Sequence, residues 1–189
     1  MQQAILHIKR FFGKQVLKKL LKRSTKRKIK SCNINQANSF GILCVVKEEK
    51  DFKKIIGLVK YLKDEFGIRN IKALAFYNKK DNPNFLQSRL GFDFYSLKDL
   101  NWFCFPNTIT ARNFINENFD ILLDITDGEF IPQKFVLHYS KSTLKVGTFS
   151  VKNKPYLDLM IDFKSKDFQE NINQVVSYLD MLNNKKDNL

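Results

Sequence analysis

The reading of the fold turns on Phe40-Gly41-Ile42-Leu43-Cys44-Val45-Val46, followed by DFKKIIGLVKYLKDEF at 51–66 and IKALAFY at 71–77. The first and third pieces are unbroken apolar runs of strand length, the pattern of strands buried on both faces. The second places Phe52, Ile55, Ile56, Val59 and Leu62 on one side of a helix. Asp51 stands where a cap is needed, and Gly67 where the helix must end. Strand, helix and strand in this order make a βαβ unit, which pairs its strands in parallel.

Working outward toward the C-terminus, the pattern continues. The spacing predicts a turn-rich loop at 78–84, a short helical piece at 85–91, and short strands at 93–95 and 102–105 around 97–100. A helix is expected over 108–118 with Thr108 as cap, then a strand at 119–125. A helix over 130–141 carries Pro132 in its first turn. Strands at 144–149 and 156–163 follow, and a final helix over 167–183 is capped by Asp167. This alternation predicts an α/β, three-layer Rossmann-like domain with a mostly parallel sheet. The expected organisation is an arm at 1–30, a linker at 31–39, the α/β body at 40–183 and a frayed tail at 184–189.

The arm is unlike the body. Of a net charge of +14, eleven positive charges come from residues 1–30, and the first acidic residue of the chain is Glu48. The body is therefore nearly balanced, and the high isoelectric point describes the arm rather than the globule. Residues 2–23 form helical repeats, with Ile5, Leu6, Ile8, Phe12, Val16, Leu17 and Leu20 on one broad arc. His7, Arg10, Lys14, Lys18 and Lys22 fall opposite, while Lys9 and Arg23 lie on the apolar side, where long stems can snorkel outward. The α/β body is thus preceded by a basic amphipathic helix. Lysines interrupt its apolar residues too often for a secretory signal, and it is poorer in serine than a transit peptide. Three uses stay open: packing on the body, lying on an anionic membrane, or binding RNA phosphates.

Composition narrows the chemistry. No apolar run reaches the length of a membrane span. The three cysteines, Cys32, Cys44 and Cys104, are scattered, and the two histidines sit in no metal-binding spacing. Seven glycines are too few and too dispersed for a phosphate-cradling loop, and the turn after the first strand, Val46-Lys47-Glu48-Glu49-Lys50, has none. No dinucleotide or other cofactor and no metal is expected. The most polar strand end is Asp124-Ile125-Thr126-Asp127-Gly128-Glu129, where converging carboxylates are the candidate acid and base. His138, Ser140 and Lys141, one helix later, are expected to approach the same edge. The aromatics Phe92, Phe94, Tyr95, Trp102, Phe103 and Phe105 read as core or a buried partner interface rather than a base-stacking platform.

Two resemblances follow from these residues. FDILLDITDGEFIPQKFVLHYSKSTLKVGTF, residues 119–149, is similar to the first half-domain of heptosyltransferase-like glycosyltransferases: a buried strand ending in Asp, a helix, and a short strand ending in Gly. That likeness is at the level of the fold, and the second, nucleotide-sugar-binding half is not in this sequence. The whole chain also resembles an uncharacterised family of Bacteroidota, through its basic N-terminal helix, the FDILLD strand and the final Tyr178-Leu179-Asp180-Met181-Leu182-Asn183 helix. This resemblance implies a cytoplasmic bacterial protein.

The leading expectation is a non-catalytic α/β binding or adaptor protein. It docks through Lys14, Lys18, Lys19, Lys22, Arg23, Lys26, Arg27 and Lys28 on an anionic surface: the inner-membrane face, RNA or a protein partner. The alternative is a small enzyme related to one half of a GT-B-type glycosyltransferase, acting on a phosphate or nucleotide-sugar ligand through Asp124, Asp127, Glu129 and His138.

Overall fold

The computed structural model describes residues 2–22, 27–81, 83–163 and 165–182. The expected tail at 184–189 lies outside them. The chain opens with α1 (Gln2–Leu21) and continues through β1 (Ser39–Val45), α2 (Glu49–Phe66), β2 (Asn70–Tyr77) and β3 (Phe92–Ser96). Then come α3 (Ile109–Asn116), β4 (Ile121–Asp124), α4 (Ile131–Tyr139), β5 (Leu144–Thr148), β6 (Leu159–Ile161) and α5 (Phe168–Met181).

The six strands form one sheet in the order β3-β2-β1-β4-β5-β6, and every pairing is parallel. This is a three-layer, Rossmann-like α/β fold. Side chains alternate across each strand, so one sheet supplies two cores. Ile42, Cys44, Ala73, Ile121, Leu123 and Val146 pack against Phe52, Ile55, Leu58 and Leu62 of α2 and Ile172, Val175 and Leu179 of α5. Leu43, Leu74, Phe76 and Leu122 pack against Ala111, Phe114 and Ile115 of α3 and Val136 and Leu137 of α4.

Local chemistry explains the helix ends. Glu48 is the N-cap of α2, and Asp51, at the third helical position, closes a capping box with it. The expectation that Asp51 itself caps the helix is thus shifted by one turn. Gly67 ends α2 in the left-handed region at φ 63°, as expected. Thr108 caps α3 by accepting from the Ala111 amide, and Asp167 caps α5 by accepting from the Glu170 amide.

Several short elements differ from expectation. Residues 85–91 form turns instead of a helical piece, yet Leu86 is buried and the Arg89 guanidinium lies over the Phe52 ring. This loop covers part of the sheet where a crossover helix would otherwise sit. Residues 102–105 are a turn, not a strand. Asn101 organises it by accepting from the amides of Phe103 and Phe105, with Cys104 held at φ 66°. The expected strand at 156–163 shrinks to β6. In the segment read as a linker, Ile34 is fully buried in the core, and Asn33 donates to the carbonyls of Asp180 and Leu182 at the end of α5. Residues 31–39 are therefore built into the body, and Ser39 already belongs to β1.

Candidate functional site

The basic helix meets the body along a narrow strip. Leu17 is buried, and Gly13 lies against the Phe103 carbonyl and the Ile131 side chain. Lys9, read as snorkelling, is half-buried with its ammonium 5.8 Å from the centroid of Trp102. The single apolar arc expected from the sequence is divided in the structure. Leu6, Val16, Leu17 and Leu20 turn toward the body, while Ile5, Ile8, Phe11 and Phe12 remain 44%, 46%, 56% and 45% exposed. Phe11 and Phe12 contact each other edge to face.

Among the docking residues, Lys14, Lys18, Lys19 and Lys22 are exposed, as is Lys28. Arg23 and Lys26 lie outside the described residues. Arg27 is corrected. Its guanidinium donates to the carbonyls of Ser142 at 2.7 Å and Thr143 at 3.0 Å, and it pairs with Asp158. Both side chains of that pair are largely covered. Arg27 is a tether that fixes the arm's end beside β5, so its charge is spent within the protein. The sequence could not separate it from its neighbours, because the run Lys26-Arg27-Lys28 has no periodic signal.

The second candidate region lies at the carboxyl ends of the strands. In this strand order the chain reverses direction between β1 and β4. The helices that follow these two strands leave on opposite faces, which opens a crevice there. A cleft of about 660 Å³ occupies it. Its walls come from the ends of β1, β4 and β5, the first turns of α2 and the approach to α5.

The expected carboxylates do not converge in this cleft as a set. Asp124 is buried at the end of β4, accepts from the Thr126 amide at 3.0 Å, and is not on the cleft wall. Burial pushes its pKa up, opposed first by the positive charge of Lys134 and then by bonding to Thr126. Asp127 and Glu129 do line the cleft, but on its rim, where they pair with Lys47 and Lys152. His138 sits at the far end of α4, in a separate pocket with Arg27, Lys28 and Lys141 by the amino ends of β4 and β5. The helix rise from Ile131 to His138 and the return toward β5 carry it away from Asp124, which a reading by sequence proximity could not anticipate. Its pKa is lowered by burial and by nearby Lys145.

Cys44 and Cys104 are buried and Cys32 partly so, and burial raises each thiol's pKa, which disfavours the reactive thiolate. Among the described residues no three His, Cys, Asp or Glu side chains gather as metal ligands, and no helix is long and apolar enough to cross a membrane.

A buried polar group that sequence reasoning missed joins three elements. Tyr95 of β3 donates to Gln133 of α4, and Gln133 donates onward to the Cys44 carbonyl at the end of β1. Gln133 and its neighbour Lys134 interrupt a largely apolar helix stretch, FIPQKFVL, and that polar pair was the available signal.

No curated protein and no solved structure matches the chain. One family model does, over residues 9–182, which takes in most of α1 together with the whole sheet. The chain belongs to that family, described as a family of unknown function (DUF6913).

Proposed function

We propose that the protein is a peripheral docking domain whose α1 rests on an anionic lipid surface. The observation that carries this reading is the solvent-open set Ile5, Ile8, Phe11 and Phe12 on a helix whose opposite side is seated on the body. The outward face is apolar in its first half and bears Lys14, Lys18, Lys19 and Lys22 in its second. Apolar side chains entering the acyl boundary beside lysines at headgroup level suit an interfacial helix. Each such lysine contributes about 1 kcal/mol near an anionic surface. RNA would neutralise the lysines but leave two phenylalanines and two isoleucines against water. The location this reading implies is cytoplasmic, peripheral at the inner membrane.

The test is co-sedimentation with vesicles. The protein is expected to pellet with phosphatidylglycerol-containing vesicles and far less with phosphatidylcholine alone. Raising salt should weaken the binding without abolishing it, because apolar insertion is not screened. Phe11→Ser with Phe12→Ser should release the protein while leaving its circular dichroism intact. Binding to RNA that vanishes in salt, with no pelleting on anionic vesicles, would overturn the reading. A truncation for the same purpose should end before Arg27, since that residue holds the body together at β5.

The competing enzymatic reading rests on the fold-level likeness of residues 119–149 and on Asp127 and Glu129 at the cleft rim. It is carried less far, because Asp124 is sealed away and His138 stands at the opposite ends of the strands.

A further inference from the structure

We infer that the cleft between β1 and β4 is a binding site for a hydroxyl-bearing phosphomonoester of sugar-phosphate size. Three independent observations lead there. The first is place and size. The cleft lies at the point where strand order reverses, the position at which open parallel sheets hold ligands, and its 660 Å³ matches a small-molecule site.

The second is the charge left over after internal pairing. Asp51 accepts from the amides of Lys47 and Glu48, so its carboxylate serves the start of α2. Asp127 faces Lys47, and Glu129 faces Lys152. Among the described residues, Lys54 and Lys166 line the cleft with no carboxylate at ion-pair distance. Lys54 comes from α2 and Lys166 from the approach to α5, so two cations reach the cleft from different elements. Lys54 is positioned over the Phe168 ring. A dianionic phosphate can meet both ammonium groups at once, which a single carboxylate does less well.

The third is an orphan acceptor. Asn171 lines the same cleft and donates its amide to the Ser165 carbonyl at 2.9 Å, which orients the side chain. Its Oδ1 is buried and accepts no hydrogen bond. A buried acceptor without a donor is a cost that folding ordinarily avoids, and a ligand hydroxyl would supply the missing donor. The glycine-poor walls agree with a ligand held by side chains instead of by a backbone cradle.

Calorimetric titration of the full chain tests the assignment. Ribose 5-phosphate and AMP are the probes, with ribose and inorganic phosphate as separate arms. Saturable binding is expected for the phosphorylated probes, about tenfold or more tighter than for either half alone. Lys54→Met with Lys166→Met should weaken it by about tenfold or more with an unchanged melting temperature. Asn171→Ala should weaken the probes but leave inorganic phosphate unaffected, a split that general loss of structure would not produce. No saturable binding of either phosphorylated probe up to about 5 mM would overturn the inference. So would equal affinity in the lysine variant, or binding of inorganic phosphate as tight as that of the probes. None of these outcomes depends on vesicle binding, so the docking proposal stands or falls separately.

Discussion

Gly13 of α1 faces the backbone of Phe103 so closely that a Cβ at Gly13 would stand 2.5 Å from the Phe103 carbonyl oxygen. The same Cβ would lie 2.8 Å from Cγ2 of Ile131. The helix is therefore seated by the absence of a side chain, on a turn whose own shape depends on Asn101 and on Cys104 at positive φ. Gly13→Val should lift α1 and expose Leu17, at a cost of roughly 1–3 kcal/mol. Amide exchange should quicken along α1 while β1 and β4 keep their protection. Gly57 in α2 is the control. Nothing lies within 4 Å of its would-be Cβ, so Gly57→Ala should stabilise by about 0.5–1 kcal/mol in urea denaturation.

Arg27 secures the other end of the arm. Its guanidinium satisfies the Ser142 and Thr143 carbonyls and the Asp158 carboxylate, and Asp158 in turn accepts from the Lys145 amide. Arg27→Met takes a donor from each of these acceptors in a poorly hydrated place. A loss of about 1.5–3 kcal/mol is expected in chemical denaturation, against about 0.5 kcal/mol or less for exposed Lys28→Met.

Lys145 links stability to pH. It is buried on β5 with its amine donating to the Leu137 carbonyl. Its pKa falls to about 7, because burial disfavours the charged form and Arg27 adds repulsion, with Asp158 opposing both. Folding therefore lowers the pKa of this lysine below its ordinary range. Between pH 7 and about 10.4 the unfolded chain holds one more proton than the folded chain. The contribution of Lys145 to stability must then rise with pH across that window, by at most about 1.4 kcal/mol per pH unit. Below pH 7 both states carry the proton, and the slope from this group vanishes. Lys145→Met should flatten the stability profile between pH 7 and 9. Equal slopes in the two proteins would show that Lys145 stays protonated.

The Tyr95–Gln133–Cys44 chain offers a test by double substitution. Gln133→Leu leaves the Tyr95 hydroxyl without its partner in a buried place, at about 1–3 kcal/mol, whereas the Cys44 carbonyl, which lies in the parallel ladder of β1 with β2, loses only its side-chain donor. Adding Tyr95→Phe to Gln133→Leu removes that orphan. The double variant should consequently be more stable than Gln133→Leu alone, and unfolding curves for the four proteins of the cycle measure the coupling.

Gly147 separates β4 from β5 closely. A Cβ there would meet the Asp124 carbonyl at 2.8 Å and Leu157 at 2.9 Å. Gly147→Ala should destabilise by roughly 1–3 kcal/mol and reduce the melting temperature, since the neighbouring atom is backbone and cannot swing aside.

The fold was legible where apolar runs were long. Phe40–Val46 and Ile71–Tyr77 lie in the middle of the sheet, where burial on both faces demands continuous hydrophobicity, and the α2 and α5 patterns name the faces they bury. Short edge elements were harder to read. β6 has three residues, and 102–105 reads as a strand from its run of aromatics, of which Phe103 and Phe105 are half-buried and Trp102 exposed, although bonds to the Asn101 side chain bend it into a turn. A local pattern reports burial, not the hydrogen bonds that decide between a turn and an extended chain.

For the functional regions, the sequence alone established that a cationic, acid-free helix precedes a balanced α/β body poor in glycine, because charge and composition need no folding to be counted. Which side of that helix faces outward was a matter for the tertiary structure. It depends on Gly13 meeting Phe103, two residues ninety positions apart, and on Arg27 being drawn away to Asp158. The same holds for the cleft. Lys54, Lys166 and Asn171 come together only because strand order reverses between β1 and β4, and long-range pairing of that kind leaves no trace in local periodicity.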